Sequence, residues 1–137
     1  PTLSKVAAAN PNVRIVYKEL PILGPESLVA AKAALAVAKQ GKYLKFHNAL
    51  MASSSVNMAA IEKIAGELGV DVAKMKADME SPQIAKLIDK NIELGTALDV
   101  GATPTFIIGG ELFSGAMDEA GFLRMISKAQ PKPAPAP

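Results

Sequence analysis

Apolar residues recur at helical spacing through most of this chain, and alternate in only two places. "PTLSKVAAAN" places Leu3, Val6 and Ala7 on one helical face, and Asn10, Pro11 and Asn12 stop it. "VRIVYKEL" alternates, with Val13, Ile15 and Tyr17 on one side and Val16 and Leu20 on the other. Apolar groups on both sides predict a strand covered on both faces, as in a parallel α/β sheet. After "PILGP" the pattern is helical for about seventy residues. Pro25 suits the first position of "PESLVAAKAALAVAKQ", and Gly41 ends it. "KYLKFHNALMAS" puts Tyr43, Phe46, Leu50 and Met51 on one face. Asn57 is the expected N-cap of "MAAIEKIAGELG", with Val56 and Ile61 placed as a hydrophobic staple. Gly69 stops that helix and Asp71 caps "VAKMKADME". Ser81 and Pro82 open "QIAKLIDKNIELGTALDV", whose expected stripe is Ile84, Leu87, Ile88, Ile92 and Leu98, with Leu94 and Val100 near its edges. Strand character returns at Thr105–Ile108, turns at Gly109 and Gly110, and comes back through "ELFSG". A last helix runs over about Asp118–Ala129.

Composition narrows the chemistry. The chain has 137 residues, 50% of them hydrophobic and only 4% aromatic, so aliphatic side chains must build its core. The net charge is +2, and the lysines are interleaved with Asp and Glu along the helices. That pattern reads as solvated faces and argues against a nucleic-acid partner. The apolar run "LVAAKAALAVA" is interrupted by Lys32 and is too short to span a bilayer. With no cysteine, composition says nothing of redox compartment, and no catalytic thiol is present.

"GATPTFIIGG" sets Pro104 at the entry of an otherwise good buried strand. A proline has no N–H to give to a ladder, so it is tolerated there only at a first position or a bulge. Together with the hairpin and the terminal helix, this stretch resembles the second half of a thioredoxin fold. "ELPILGPES" and "QGKYLKFHNALM" extend the resemblance, and the chain is similar to the DsbA-like thiol–disulfide oxidoreductases from about Pro1 to Ala129.

The resemblance implies an α/β chain: the C-terminal part of a thioredoxin-like fold carrying an all-helical insert. The expected organisation is an incomplete DsbA-like domain over 1–129, with the insert at 26–98, followed by an extended, mobile proline-rich tail at 130–137. The insert core is expected from Leu28, Leu35, Phe46, Leu50, Ile61, Ile64, Leu68 and Ile84. The family's Cys-x-x-Cys motif, at the start of the helix that ends here, and the strand before it would lie upstream of Pro1. Without that strand, residues 13–20 and 105–108 are not expected to pair. Direct pairing would mark a self-contained, cysteine-free sheet.

The same resemblance implies a Thr103–Pro104 bond that is cis, with Thr103 and Pro104 presenting the backbone to an extended protein or peptide substrate. It implies substrates that carry thiols or disulfides, a possible redox partner protein, and a periplasmic or cell-envelope location. The chain as given, without thiols, is expected to be redox-inactive. No cofactor and no metal site are expected. Glu19, near the end of the first strand, reads either as a modulator of a nearby thiol or as a strand-end acid paired with a lysine. His47 has neither a cysteine nor a second histidine to work with and reads as a helix-face residue. The methionines read as core and rim fillers. Two other functions stay open: a cysteine-free peptide-binding or chaperone-like module, and a glutathione-dependent enzyme of the same fold.

Overall fold

A computed structural model of the chain describes residues 2–130. The tail expected at 130–137 therefore lies, beyond Gln130, outside the described residues. The described residues divide into two compact units, one of residues 2–17 and 100–130 and one of residues 18–99.

The first unit holds α1 (Thr2–Ala9), β1 (Thr105–Ile108), β2 (Glu111–Ser114) and α7 (Glu119–Ala129). The strands pair antiparallel from Thr105 opposite Ser114 to Ile108 opposite Glu111. Gly109 and Gly110 join them with φ of 59° and 85°. Two consecutive left-handed residues make the turn whose twist matches the strands it joins, and glycine reaches it without steric cost. The Asp118 side chain accepts a hydrogen bond from the Gly121 N–H at 2.7 Å and caps α7. Both α1 and β1 pack on α7. Val6 and Phe122 are buried, and Phe106 meets Phe122 edge to face at 4.8 Å between ring centres.

One expectation is corrected here. Val13–Leu20 is extended but is not a strand. Its alternation survives: Val13, Ile15, Tyr17 and Glu19 are half-buried, while Arg14 and Lys18 are exposed and Val16 is 59% exposed. One face is covered, not two. A strand also needs a neighbouring backbone to bond to, and among the described residues the sheet contains β1 and β2 alone. The direct pairing of residues 13–20 with 105–108 does not occur.

The second unit is helical: α2 (Pro25–Ala38), α3 (Tyr43–Ala52), α4 (Met58–Glu67), α5 (Val72–Met79) and α6 (Pro82–Ala97). Local chemistry sets the helix ends. Asn57 and Asp71 each accept a backbone N–H three residues on, from Ala60 at 3.0 Å and Lys74 at 2.8 Å. Gly69, at φ 66°, ends α4 with the Val70 N–H on the Ala65 carbonyl and its own N–H on the Gly66 carbonyl, both at 2.9 Å. Ser81 stands at the N-cap of α6 but makes no side-chain cap bond, and its buried Oγ has no partner among the described residues.

The core differs from the expected one. Phe46, Leu50, Ile61 and Ile84 are buried, and Leu35, Ile64 and Leu68 pack against them half-buried. Leu28 and Met51 are exposed. The buried stripe of α6 is Ile84, Ile88, Asn91 and Gly95, while Leu87, Ile92, Leu94 and Leu98 stand out at its flanks. In their place the core contains Ala31, Ala33, Ala34, Ala36, Val37, Met75 and Met79. The reason is the position of α2, which packs against α3, α4, α5 and α6. A helix surrounded in this way is apolar over most of its surface, Lys32 being the exception within its apolar run, and alanines let its neighbours approach closely.

Candidate functional sites

In the first unit the loop Gly101–Pro104 is exposed throughout. The Thr103–Pro104 peptide bond is cis. The Thr105 hydroxyl donates to the Ala102 carbonyl at 2.7 Å and lies 3.1 Å from the Ser114 hydroxyl. The Gly115 N–H bonds to the Pro104 carbonyl at 2.8 Å. The loop is thus tied down on either side of Thr103. Pro104 stands just before β1, where its missing N–H breaks no ladder bond. Among the described residues no hydrogen bond engages the backbone of Thr103, which is exposed. In the same unit an open groove of about 440 Å³ lies between β2 and the start of α7, lined in part by Phe113, Met117, Arg124 and Met125. Partial burial pushes the Tyr17 phenol above its ordinary pKa.

In the second unit Glu19 has partners that its sequence context did not suggest. The Tyr43 hydroxyl donates to Glu19 Oε1 at 2.6 Å, and His47 Nδ1 lies 3.5 Å from the same oxygen. Tyr43 and His47 stack with ring centres 5.5 Å apart, and the hydroxyl is 3.5 Å from His47 Nδ1. The side chains of Glu19 and His47 are only 18% and 22% exposed, so water screens this contact weakly. The Asn91 amide donates to the Glu19 carbonyl at 3.0 Å. The lysine expected beside Glu19 is therefore replaced by a phenol and an imidazole. The available signal was the four-residue spacing of Tyr43 and His47, which puts both on one helix face; nothing local tied them to Glu19. No group of three or more His, Asp or Glu that could hold a metal ion occurs among the described residues.

A family model for the DSBA-like thioredoxin domain matches residues 1–127. The chain belongs to that family. Its fold is thioredoxin-like with a helical insert, as in solved DsbA-like structures. A thioredoxin-like oxidoreductase from Silicibacter pomeroyi is 37% identical and superposes with a TM-score of 0.89, over 93% of this chain and 75% of that one. The thiol–disulfide exchange protein α-DsbA2 from Wolbachia pipientis is 29% identical with a TM-score of 0.85, over 94% and 72%. A periplasmic thioredoxin-like protein from Salmonella enterica serovar Typhimurium is 25% identical with a TM-score of 0.80, over 94% and 73%. Among curated proteins, a Na(+)/H(+) antiporter NhaA from Herminiimonas arsenicoxydans is 29% identical over 108 residues, which is 78% of this chain but 17% of that protein. The DSBA-like chain thus spans about a sixth of the length of that curated relative. None of its described helices is long and apolar enough to cross a membrane.

Proposed function

We propose that this DSBA-like chain is the substrate-docking part of a thiol–disulfide oxidoreductase acting on protein disulfides, with the reactive thiols supplied by residues outside the sequence given. The observation that carries the reading is the exposed Gly101–Pro104 loop, pinned at Thr105 and Gly115, within a chain of this family. Thr103 and Pro104 present the backbone to an extended segment of a thiol- or disulfide-bearing protein, and Thr103 supplies the hydrogen-bonding groups. Glu19 acts as a modulator of thiol chemistry. The sequence given has no cysteine, so it performs no thiol exchange itself. The domain 1–129 with its helical insert at 26–98 works in the periplasm or cell envelope, a location supported by the periplasmic relative. The antiporter relatives bear on the setting of such domains in longer chains, and the redox reading concerns this domain alone.

The absence of cysteine also favours a second reading, a peptide-holding module without redox chemistry. Two assays separate them. Unstructured peptides titrated into this chain should shift the amide resonances of residues 101–105, and Thr103→Arg should abolish the shifts. The natural protein that carries this domain should exchange disulfides with a reduced peptide, and Thr103→Arg should lower its kcat/KM. Peptide binding without exchange would establish the holding module, and shifts located elsewhere would remove Thr103 and Pro104 from the site.

A further inference from the structure

The contacts of Glu19 all fall on one of its carboxylate oxygens. Oε1 takes the Tyr43 hydroxyl at 2.6 Å and lies 3.5 Å from His47 Nδ1, while Oε2 accepts no hydrogen bond among the described residues. The phenol oxygen, the carboxylate oxygen and the imidazole nitrogen form a triangle: the phenol lies 2.6 Å from the carboxylate, and the nitrogen lies 3.5 Å from each of them. The phenol can accept a proton from the nitrogen while donating its own to the carboxylate. Charged groups on the helices packed against α3 have partners of their own. On α2, Lys32 pairs with Glu80 at 3.6 Å, and just past its end Lys39 pairs with Asp78; on α4, Glu62 pairs with Lys76 at 2.8 Å and Lys63 with Glu67 at 3.9 Å. Glu26 is exposed in the first turn of α2.

We propose that His47, Tyr43 and Glu19 form a proton relay, in which the tyrosine hydroxyl passes a proton between the imidazole and the carboxylate. The balance is simple. A protonated His47 gives its Nδ1 proton to the Tyr43 oxygen as Tyr43 gives its hydroxyl proton to Glu19 Oε1. Tyr43 is neutral before and after, and one proton has moved from imidazolium to carboxylate. His47 exchanges with solvent, being partly exposed, and Glu19 Oε2, which accepts no hydrogen bond among the described residues, is the oxygen left for a proton-exchanging partner. The relay rests on the reading of Glu19 as a modulator of thiol chemistry in one respect only: interconversion of thiol and thiolate takes up or releases a proton, and this chain of groups can carry it.

The test uses the cysteine-free chain, so its outcome does not depend on the redox reading. His47 is the sole histidine, so its ring resonances are unambiguous in an NMR pH titration. The Glu19 side-chain carboxyl ¹³C signal is followed in the same samples. In the native chain it should show an inflection at the His47 midpoint. Tyr43→Phe removes only the bridging hydroxyl, and His47→Gln removes the proton source; each should abolish the shared inflection. The amide spectra of α4–α6 report that each variant is folded. If the native Glu19 signal is indifferent to His47, or if Tyr43→Phe retains the shared inflection in a folded chain, there is no relay. A relay confirmed here beside an inactive natural protein would reject the thiol role and leave the relay standing.

Discussion

Asn91, a buried polar residue in the middle of α6, donates its side-chain amide to the backbone carbonyl of Glu19 at 3.0 Å. The two lie 72 residues apart in sequence. Within the second unit the bond ties Glu19, which precedes α2, to α6. It also explains why a helix interior holds asparagine where a leucine would otherwise sit: the half-buried Glu19 carbonyl takes its donor from there. Asn91→Leu keeps the volume but leaves that carbonyl unpaired, and should destabilise the chain by about 1–3 kcal/mol. Urea denaturation measures it. A loss under roughly 0.5 kcal/mol would show that the carbonyl finds another donor, a case in which removing a partner costs little.

Phe46 is fully buried at the centre of the helical core. Phe46→Ala should cost about 3–5 kcal/mol in the same assay, combining lost burial with the cavity left behind. Met51, on the same helix but 67% exposed, should tolerate alanine with a change within about 0.5 kcal/mol.

The two turn glycines should respond differently. Both have left-handed φ, so alanine at either position should cost about 1–2 kcal/mol in backbone strain. A Cβ at Gly110 meets nothing within 4 Å, whereas one at Gly109 would stand 2.5 Å from the Ala129 Cβ. Gly109→Ala should therefore be the more destabilising substitution by thermal denaturation. Equal losses would show that the end of α7 moves away freely.

Hydrogen bonds from Lys39 and Lys74 hold the Asp78 carboxyl below the ordinary carboxylate range. A carboxylate depressed in the folded state stabilises that state above its unfolded pKa, and the benefit is lost as pH falls through the lower folded value. Stability should therefore fall on acidification below about pH 4, the usual carboxylate value. In Asp78→Asn that part of the fall should be absent, giving a flatter profile of urea midpoint against pH. Profiles of equal slope would show that the pairs with Lys39 and Lys74 contribute nothing to acid sensitivity.

The features legible in the sequence are those decided within a few residues. Asn57 and Asp71 bind N–H groups in the first turn of their own helices. Gly109 and Gly110 turn the hairpin because their φ values are closed to most side chains. Ser81 shows the limit of this: it takes the capping position and backbone geometry, yet its hydroxyl makes no cap bond.

Tertiary structure decided which apolar groups are inside. Periodicity marks a face but not its width, so the spacing that places Leu87 and Ile92 on the α6 stripe does not show that its flanks are open to solvent. The alanines of α2 carry little hydrophobic signal individually, and become core because four helices close around them. Alternation from Val13 to Leu20 specified an extended backbone, but no partner within the described residues makes it a strand. Glu19, Tyr43 and His47 meet only through packing that joins the end of an extended segment to the face of α3. Local sequence determined the caps, turns and periods because those depend on backbone groups a few bonds away. The core and the titratable cluster depend on which distant surfaces exclude water together, and only the folded chain decides that.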